Sequence, residues 1–206
     1  MPMHDSFSLA DADDWAAAVQ GANPASLLVA IRLRMGAALA QYVNEDDLWQ
    51  ETLLRAWRTR QSFTWQGMPA FRRWLLTIAD RTIADHRDHF LAQKRTAQRT
   101  QSLDGEGGST LDPWSSTTPS RLASERERAR LMAEALATLD DEVRDVVQLR
   151  LFDELSLEEI AERLQLGISA VRHRFRKGAE SYARRLRVLE STSGHGRPGA
   201  GAPALG

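Results

Sequence analysis

The chain has 206 residues, a formal net charge of −1, 42% apolar and 27% charged residues, and no cysteine. That composition describes a globular protein able to build real cores, while the missing cysteine excludes a disulfide framework, thiolate catalysis and cysteine-ligated zinc, and suits a reducing cytoplasm. No apolar run approaches the roughly 20 residues that span a bilayer. The N-terminus, MPMHDSFSLADADDW, lacks the basic-then-apolar layout of a signal peptide, so a cytoplasmic location without membrane insertion is expected.

Nearly every readable segment has helical period, and no strand-plus-turn pair stands out. Residues 1–25 read as a polar lead with a short helix around Trp15 to Val19. Helices are predicted over Ser26 to Tyr42, over Asp46 to Arg60 with Asn44 as N-cap, and over Ala70 to Gln93 after the loop SFTWQGMP. Residues 94–124, rich in Ser, Thr, Gly and Pro, have the composition of a flexible linker. Helices resume over Glu125 to Leu139, Asp141 to Phe152, Leu157 to Leu164 and Ser169 to Leu189, and residues 191–206 read as a low-complexity, disordered tail. The expected fold is all-α, with two small helical domains, 26–93 and 125–190, on a flexible tether.

The neutral average hides a segregation of charge. Residues 140–162 are mainly acidic and residues 172–187 mainly basic, which makes a local basic surface on a neutral chain. Within the basic part, VRHRFRKG alternates as a strand would. At about 100° per residue, however, Ile168, Val171, Phe175, Tyr182, Leu186 and Leu189 fall in one stripe about 60° wide, as on a helix. Ser169, Arg172, His173, Arg176 and Lys177 lie opposite, with Arg174 on the flank. Just upstream, Leu157, Ile160, Ala161 and Leu164 form the inner stripe of a shorter helix, with Ser156 as N-cap and Glu159 at the capping-box position. A short helix, a tight turn and a longer helix with a basic outer face make a helix-turn-helix, whose outward residues suit the major groove. Gln165 stands where such turns usually carry Gly. A left-handed Gln costs about 1 kcal/mol, which points to Gly167 as the residue that shifts the turn.

In Asp46 to Arg60, Leu48, Trp49, Thr52, Leu53, Ala56 and Trp57 make a buried face, and Asp47, Gln50, Glu51, Leu54, Arg55 and Arg58 point away. In Ala70 to Gln93, Phe71, Trp74, Leu75, Ile78 and Thr82 point inward. Arg73, Leu76, Thr77, Asp80, Ala84 and Arg87 point outward. An exposed Leu among charges on each helix suggests protein-binding patches.

DDLWQETLLRAW, FRRWLLTIADRTIADH and LATLDDEVRDVVQLRLFDELSLEEIAERL with AVRHRFRKG resemble an extracytoplasmic-function sigma factor, the smallest kind of sigma-70-family initiation factor in bacteria. The resemblance covers roughly residues 26–93 and 125–188. It implies a promoter-melting domain (region 2), a linker, and a domain ending in a helix-turn-helix (region 4). It implies that Asp47, Gln50, Glu51, Leu54 and Arg58 dock on the clamp helices of the largest subunit of core RNA polymerase. The flap of the polymerase beta subunit and promoter DNA are further implied partners, and an anti-sigma factor is a partner of many relatives. Phe63, Trp65, Gln66, Thr77 and Asp80 fall where the family holds the −10 element and captures an unstacked base, with Arg72, Arg73 and Arg87 on phosphates. Ser169, Arg172, His173, Arg174, Arg176 and Lys177 fall on the reader of the −35 element. Asp80 replaces the family's usual Asn. That leaves two readings: an altered −10 preference, or a pairing of Asp80 with Arg73 or Arg81.

Two rival readings remain. Asp85, His86, Asp88 and His89 suggest a metal site, yet His4, His173 and His195 lie in unrelated segments and no further ligands converge. No catalytic constellation, cofactor or metal is therefore expected, nor an enzyme. A stand-alone helix-turn-helix regulator with an N-terminal sensing or dimerisation domain explains residues 140–188 but leaves the DDLWQET face and the TWQG loop without a role.

Overall fold

The structure is a computed structural model that describes residues 8–97 and 119–194. Among these, the regular structure is helical, without a strand. The described chain divides into two compact units: the first runs to Arg126 and takes in Phe152–Glu154, and the second holds Glu127–Leu151 and the described residues from Leu155 on.

The first unit begins with helix α1 (Ala12–Gly21), where the Asp11 carboxylate accepts from the Asp13 and Asp14 N–H groups at 2.8 and 3.2 Å. Helix α2 (Pro24–Leu39) carries proline in its first turn and breaks its helical dihedrals at Gly36, where φ is 69°. Helix α3 (Glu45–Thr59) is capped by Asn44 as the sequence predicts, with an acidic first turn that complements the helix dipole. A single 3-10 turn (Arg60–Ser62) leads through an irregular loop to helix α4 (Met68–Ala97). Leu27, Ile31, Leu48, Trp49, Phe71 and Leu75 fill the core that α2, α3 and α4 share.

Two expectations change here. The polar lead is a working part of this core: Trp15, Ala18 and Val19 share one stripe of α1, and these three, with Leu9 and Ala22, are buried. Leu76 is not an exposed patch, being 3% exposed. Leu76, Ala79 and Ile83 repeat at i, i+3 and i+7 and widen the buried stripe of α4 beyond Phe71, Leu75 and Ile78.

The second unit takes most of α5 (Pro119–Ala137), then α6 (Asp141–Leu151), α7 (Leu157–Leu164) and α8 (Ile168–Gly194). Val146, Leu149, Ile160 and Val171 form its buried centre, with Leu157, Leu164, Leu166 and Phe175 packed around them. The predicted linker loses both ends to helix, since α4 runs to Ala97 and α5 starts at Pro119. Its remainder, and the predicted tail beyond Gly194, lie outside the described residues.

Candidate functional site

The helix-turn-helix is built by two reciprocal bonds and a turn. The Glu159 N–H donates to Ser156 Oγ at 3.1 Å, and the Ser156 N–H donates to Glu159 Oε2 at 2.6 Å, completing the predicted capping box of α7. At the other end, Gln165 itself adopts the left-handed conformation (φ 54°, ψ 42°), and Gly167 is not the residue that bends the turn. The Gln165 N–H donates to Glu162 O at 3.2 Å and the Leu166 N–H to Ala161 O at 2.9 Å, the paired bonds of a Schellman motif. Leu166 packs into the core beside Ile160. That contact and the two satisfied carbonyls offset the cost of a left-handed side chain.

Helix α8 then presents the two faces that its periodicity predicts. Val171 and Tyr182 are buried, while Ser169, Arg172, His173, Arg176 and Lys177 are exposed. Arg174 lies on the flank and is half-buried, pairing with Glu142 of α6 at 2.7 Å. Arg172 approaches Glu158 of α7 only to 3.9 Å, with both side chains open to solvent, a contact worth little. Burial pushes the Tyr182 hydroxyl up to about 12; Glu190 adds to the rise and Arg128 opposes it. Tyr182 is therefore a neutral anchor at ordinary pH.

Gly178 is the residue that sequence reasoning missed. A Cβ there would lie 2.3 Å from Val143 Cγ1 and 2.5 Å from Val147 Cγ2, so its absence lets α6 and α8 approach closely. The signal was present, because Gly178 follows Val171 by seven and precedes Tyr182 by four, on the inner stripe.

In the first unit, Asp47, Gln50 and Arg58 stand exposed on α3, and Glu51 and Leu54 are half-buried. Glu51 is already engaged. Its Oε1 accepts from Arg55 Nε at 3.0 Å and Nη2 at 2.5 Å, and its Oε2 lies 2.6 Å from His86 Nε2. Arg55 also reaches Asp85 at 2.5 Å. Burial raises the Glu51 carboxyl, but the bonds from His86 and Arg55 outweigh it and hold the group below its usual range. The same Asp85 and His86 that suggest a metal site in the sequence thus tie α4 to α3. Among the described residues no group of three or more His, Asp or Glu side chains could hold a metal.

The loop after α3 brings Phe63 and Trp65 to the N-terminal end of α4, both half-buried, with Gln66 exposed between them and Gly67 at φ 92°. On α4, Arg73, Thr77, Asp80 and Arg87 share the exposed face, and the Thr77 hydroxyl donates to Arg73 O at 2.9 Å. Asp80 pairs with neither Arg73 nor Arg81 but with Arg34 of α2, at 3.1 Å. Arg72 departs from its predicted role on phosphate. It is 8% exposed, with one guanidinium nitrogen donating to Ala22 O and another to Ser26 Oγ at 3.1 Å. A guanidinium beside Phe71 on the buried stripe must satisfy its donors internally, and a backbone carbonyl at the end of α1 is one of its acceptors.

Comparisons with known proteins point to one family. Residues 25–96 match the family model for sigma-70 region 2, and residues 135–181 match that for sigma-70 region 4. The ECF RNA polymerase sigma-E factor of Haemophilus influenzae is 28% identical over 164 residues, covering 76% of this chain and 83% of that protein. The protein of the same name from Escherichia coli K12 is 26% identical over 171 residues, covering 79% and 86%. A solved chain from the co-crystal structure of the sigma factor RpoE with the anti-sigma factor NepR from Bartonella quintana is 20% identical. It aligns with a TM-score of 0.34 over 85% of this chain and 98% of that one. With regions 2 and 4 matched in order and relatives of one kind spanning most of its length, the chain belongs to the extracytoplasmic-function branch of the sigma-70 family of RNA polymerase sigma factors.

Proposed function

We propose that the chain binds core RNA polymerase, reads the −35 duplex through α8 and the −10 element through the first unit, and nucleates strand opening. The observation that carries the reading is the exposed row Ser169, Arg172, His173, Arg176 and Lys177 in the first turns of a helix set by a tight turn. That is the geometry in which Arg reads guanine edges in the major groove. Arg174, engaged with Glu142, serves the fold of the reading helix and leaves base contact to its neighbours. Asp47, Gln50, Leu54 and Arg58 would meet the clamp helices of the largest subunit, with Glu51 held between Arg55 and His86 beneath them, and region 4 would meet the flap of the beta subunit. Gln66, Arg73, Thr77, Asp80 and Arg87 would line the −10 strand, with Trp65 beside them.

Reconstitution with core polymerase on a promoter library tests the proposal. The chain should start transcription at defined sites, and Arg176→Ala should weaken −35-dependent initiation by about 1–3 kcal/mol, or about 5- to 150-fold. Unchanged initiation by Arg176→Ala on such a promoter removes the base-reading role. Tight, sequence-specific duplex binding by the chain alone, with no effect on core polymerase, would instead establish a stand-alone regulator.

A further inference from the structure

The loop that the proposed function places on the −10 strand has little regular structure to fix it. Its hydrogen bonds include the Phe63 N–H to Arg60 O at 3.2 Å, the Ser62 hydroxyl to Thr59 O at 2.7 Å and the Phe71 N–H to Gly67 O at 3.1 Å. Ring contacts tie it to α4 as well. Phe63 packs on Trp74 at 4.8 Å and on Phe71 at 5.9 Å, and Trp65 packs on Phe71 at 5.5 Å. Those supports in turn converge on one buried ring. Trp15 of α1, fully buried, meets Phe71 at 5.8 Å and 87°, Trp74 at 6.4 Å and 90°, and Trp57 at 5.6 Å and 68°.

Three near-perpendicular contacts place ring edges against ring faces, an arrangement favoured by the aromatic quadrupole and sensitive to orientation. Trp15 thereby contacts both Phe71 and Trp74, the two rings on which the loop rests. It also lies ahead of the residues that match region 2, which begin at residue 25. We propose that Trp15 is a positioning residue for promoter opening: through Phe71 and Trp74 it fixes where Trp65 and Gln66 meet the single strand. The assignment rests on the proposed −10 role of this loop.

The test compares Trp15→Leu and Trp15→Phe with the unsubstituted chain in the reconstituted holoenzyme. Three quantities are read: affinity for core polymerase, open-complex formation on a fully paired promoter against one with a pre-opened −10 bubble, and amide exchange across residues 60–70. With the loop displaced by about 1 Å, Trp15→Leu should open the paired promoter about tenfold less and lose most of that deficit on the pre-opened one. Core affinity should stay within about twofold, exchange should quicken in the loop before it does in α3, and Trp15→Phe should restore part of the opening. Equal opening and equal loop exchange in Trp15→Leu overturn the assignment. Uniformly faster exchange throughout the first unit with lost core binding also overturns it, because Trp15 is then only a core residue. If the unsubstituted chain directs no initiation with core polymerase, the proposed function falls, and loop exchange alone decides whether Trp15 positions the loop.

Discussion

Replacing Gly178 by alanine sets two effects of opposite sign against each other. In a helix interior Ala is better than Gly by about 1 kcal/mol, so an open site would gain stability. This site is closed. The new Cβ would sit 2.3 and 2.5 Å from the γ-methyls of Val143 and Val147, about 1 Å inside the usual carbon–carbon separation. Helical valine keeps essentially one χ1 rotamer, so neither methyl can swing away cheaply, and forcing each off its rotamer costs about 0.5–1.5 kcal/mol. Together with separation of α6 from α8, the steric cost reaches the upper part of the range for overpacked cores, about 3 kcal/mol. The net loss is about 2 kcal/mol, a factor of about 30 in the folded ratio. Amide exchange on the intact protein reads this directly: peptides from α6 and α8 should lose about 30-fold in protection, and those from α2 and α3 should not change. Adding Val143→Ala should recover part of the loss, because one of the two offending methyls is gone. Protection in α6 and α8 that is equal or higher in Gly178→Ala would refute the close-approach argument.

Gln165→Gly should stabilise the second unit by about 0.5–1 kcal/mol, since glycine removes the left-handed strain but adds unfolded-state freedom; a lower melting temperature for the variant would contradict it. Glu51 is held below its ordinary value of 4.5 in the fold, so its bonds to His86 and Arg55 contribute stability that is fully present above that pH. The contribution is lost as pH falls through the depressed value. Glu51→Gln should therefore be less stable near neutrality, by no more than about 1 kcal/mol for a half-exposed cluster. In denaturant titrations that difference should close in acid, and a constant difference down to the lowest pH would mean that the ionised carboxylate is not what stabilises.

Local features were legible in the sequence. The two faces of α8, the Ser156–Glu159 capping box and the Asn44 cap each depend on residues within one or two turns of each other, so periodicity and spacing suffice. What escaped depends on distant partners. Arg72 reads as an outward charge until the carbonyl of Ala22 and the hydroxyl of Ser26 are beside it. The partner of Asp80 is Arg34 on another helix, and spacing along α4 points only to Arg73 and Arg81. The backbone cost of a left-handed Gln165 is visible in the sequence, but the Leu166 contact that the turn makes available is not. Trp15 and Gly178 each sit on a visible stripe, but the neighbours that give them weight lie on other helices.

The ion pair between Arg174 and Glu142 also sets how the reading helix responds to ionic strength. With Arg174 neutralised within the protein, the exposed cations of that helix start are Arg172, Arg176 and Lys177. At most three of these cations can neutralise phosphates, giving a log–log salt slope no steeper than about −2.7, so doubling the salt weakens duplex binding by no more than about sixfold. A helix with so small an electrolyte term gains little from indiscriminate attraction to DNA. On the proposed function, its hold on a promoter would come from base contacts and from the larger assembly that delivers it there.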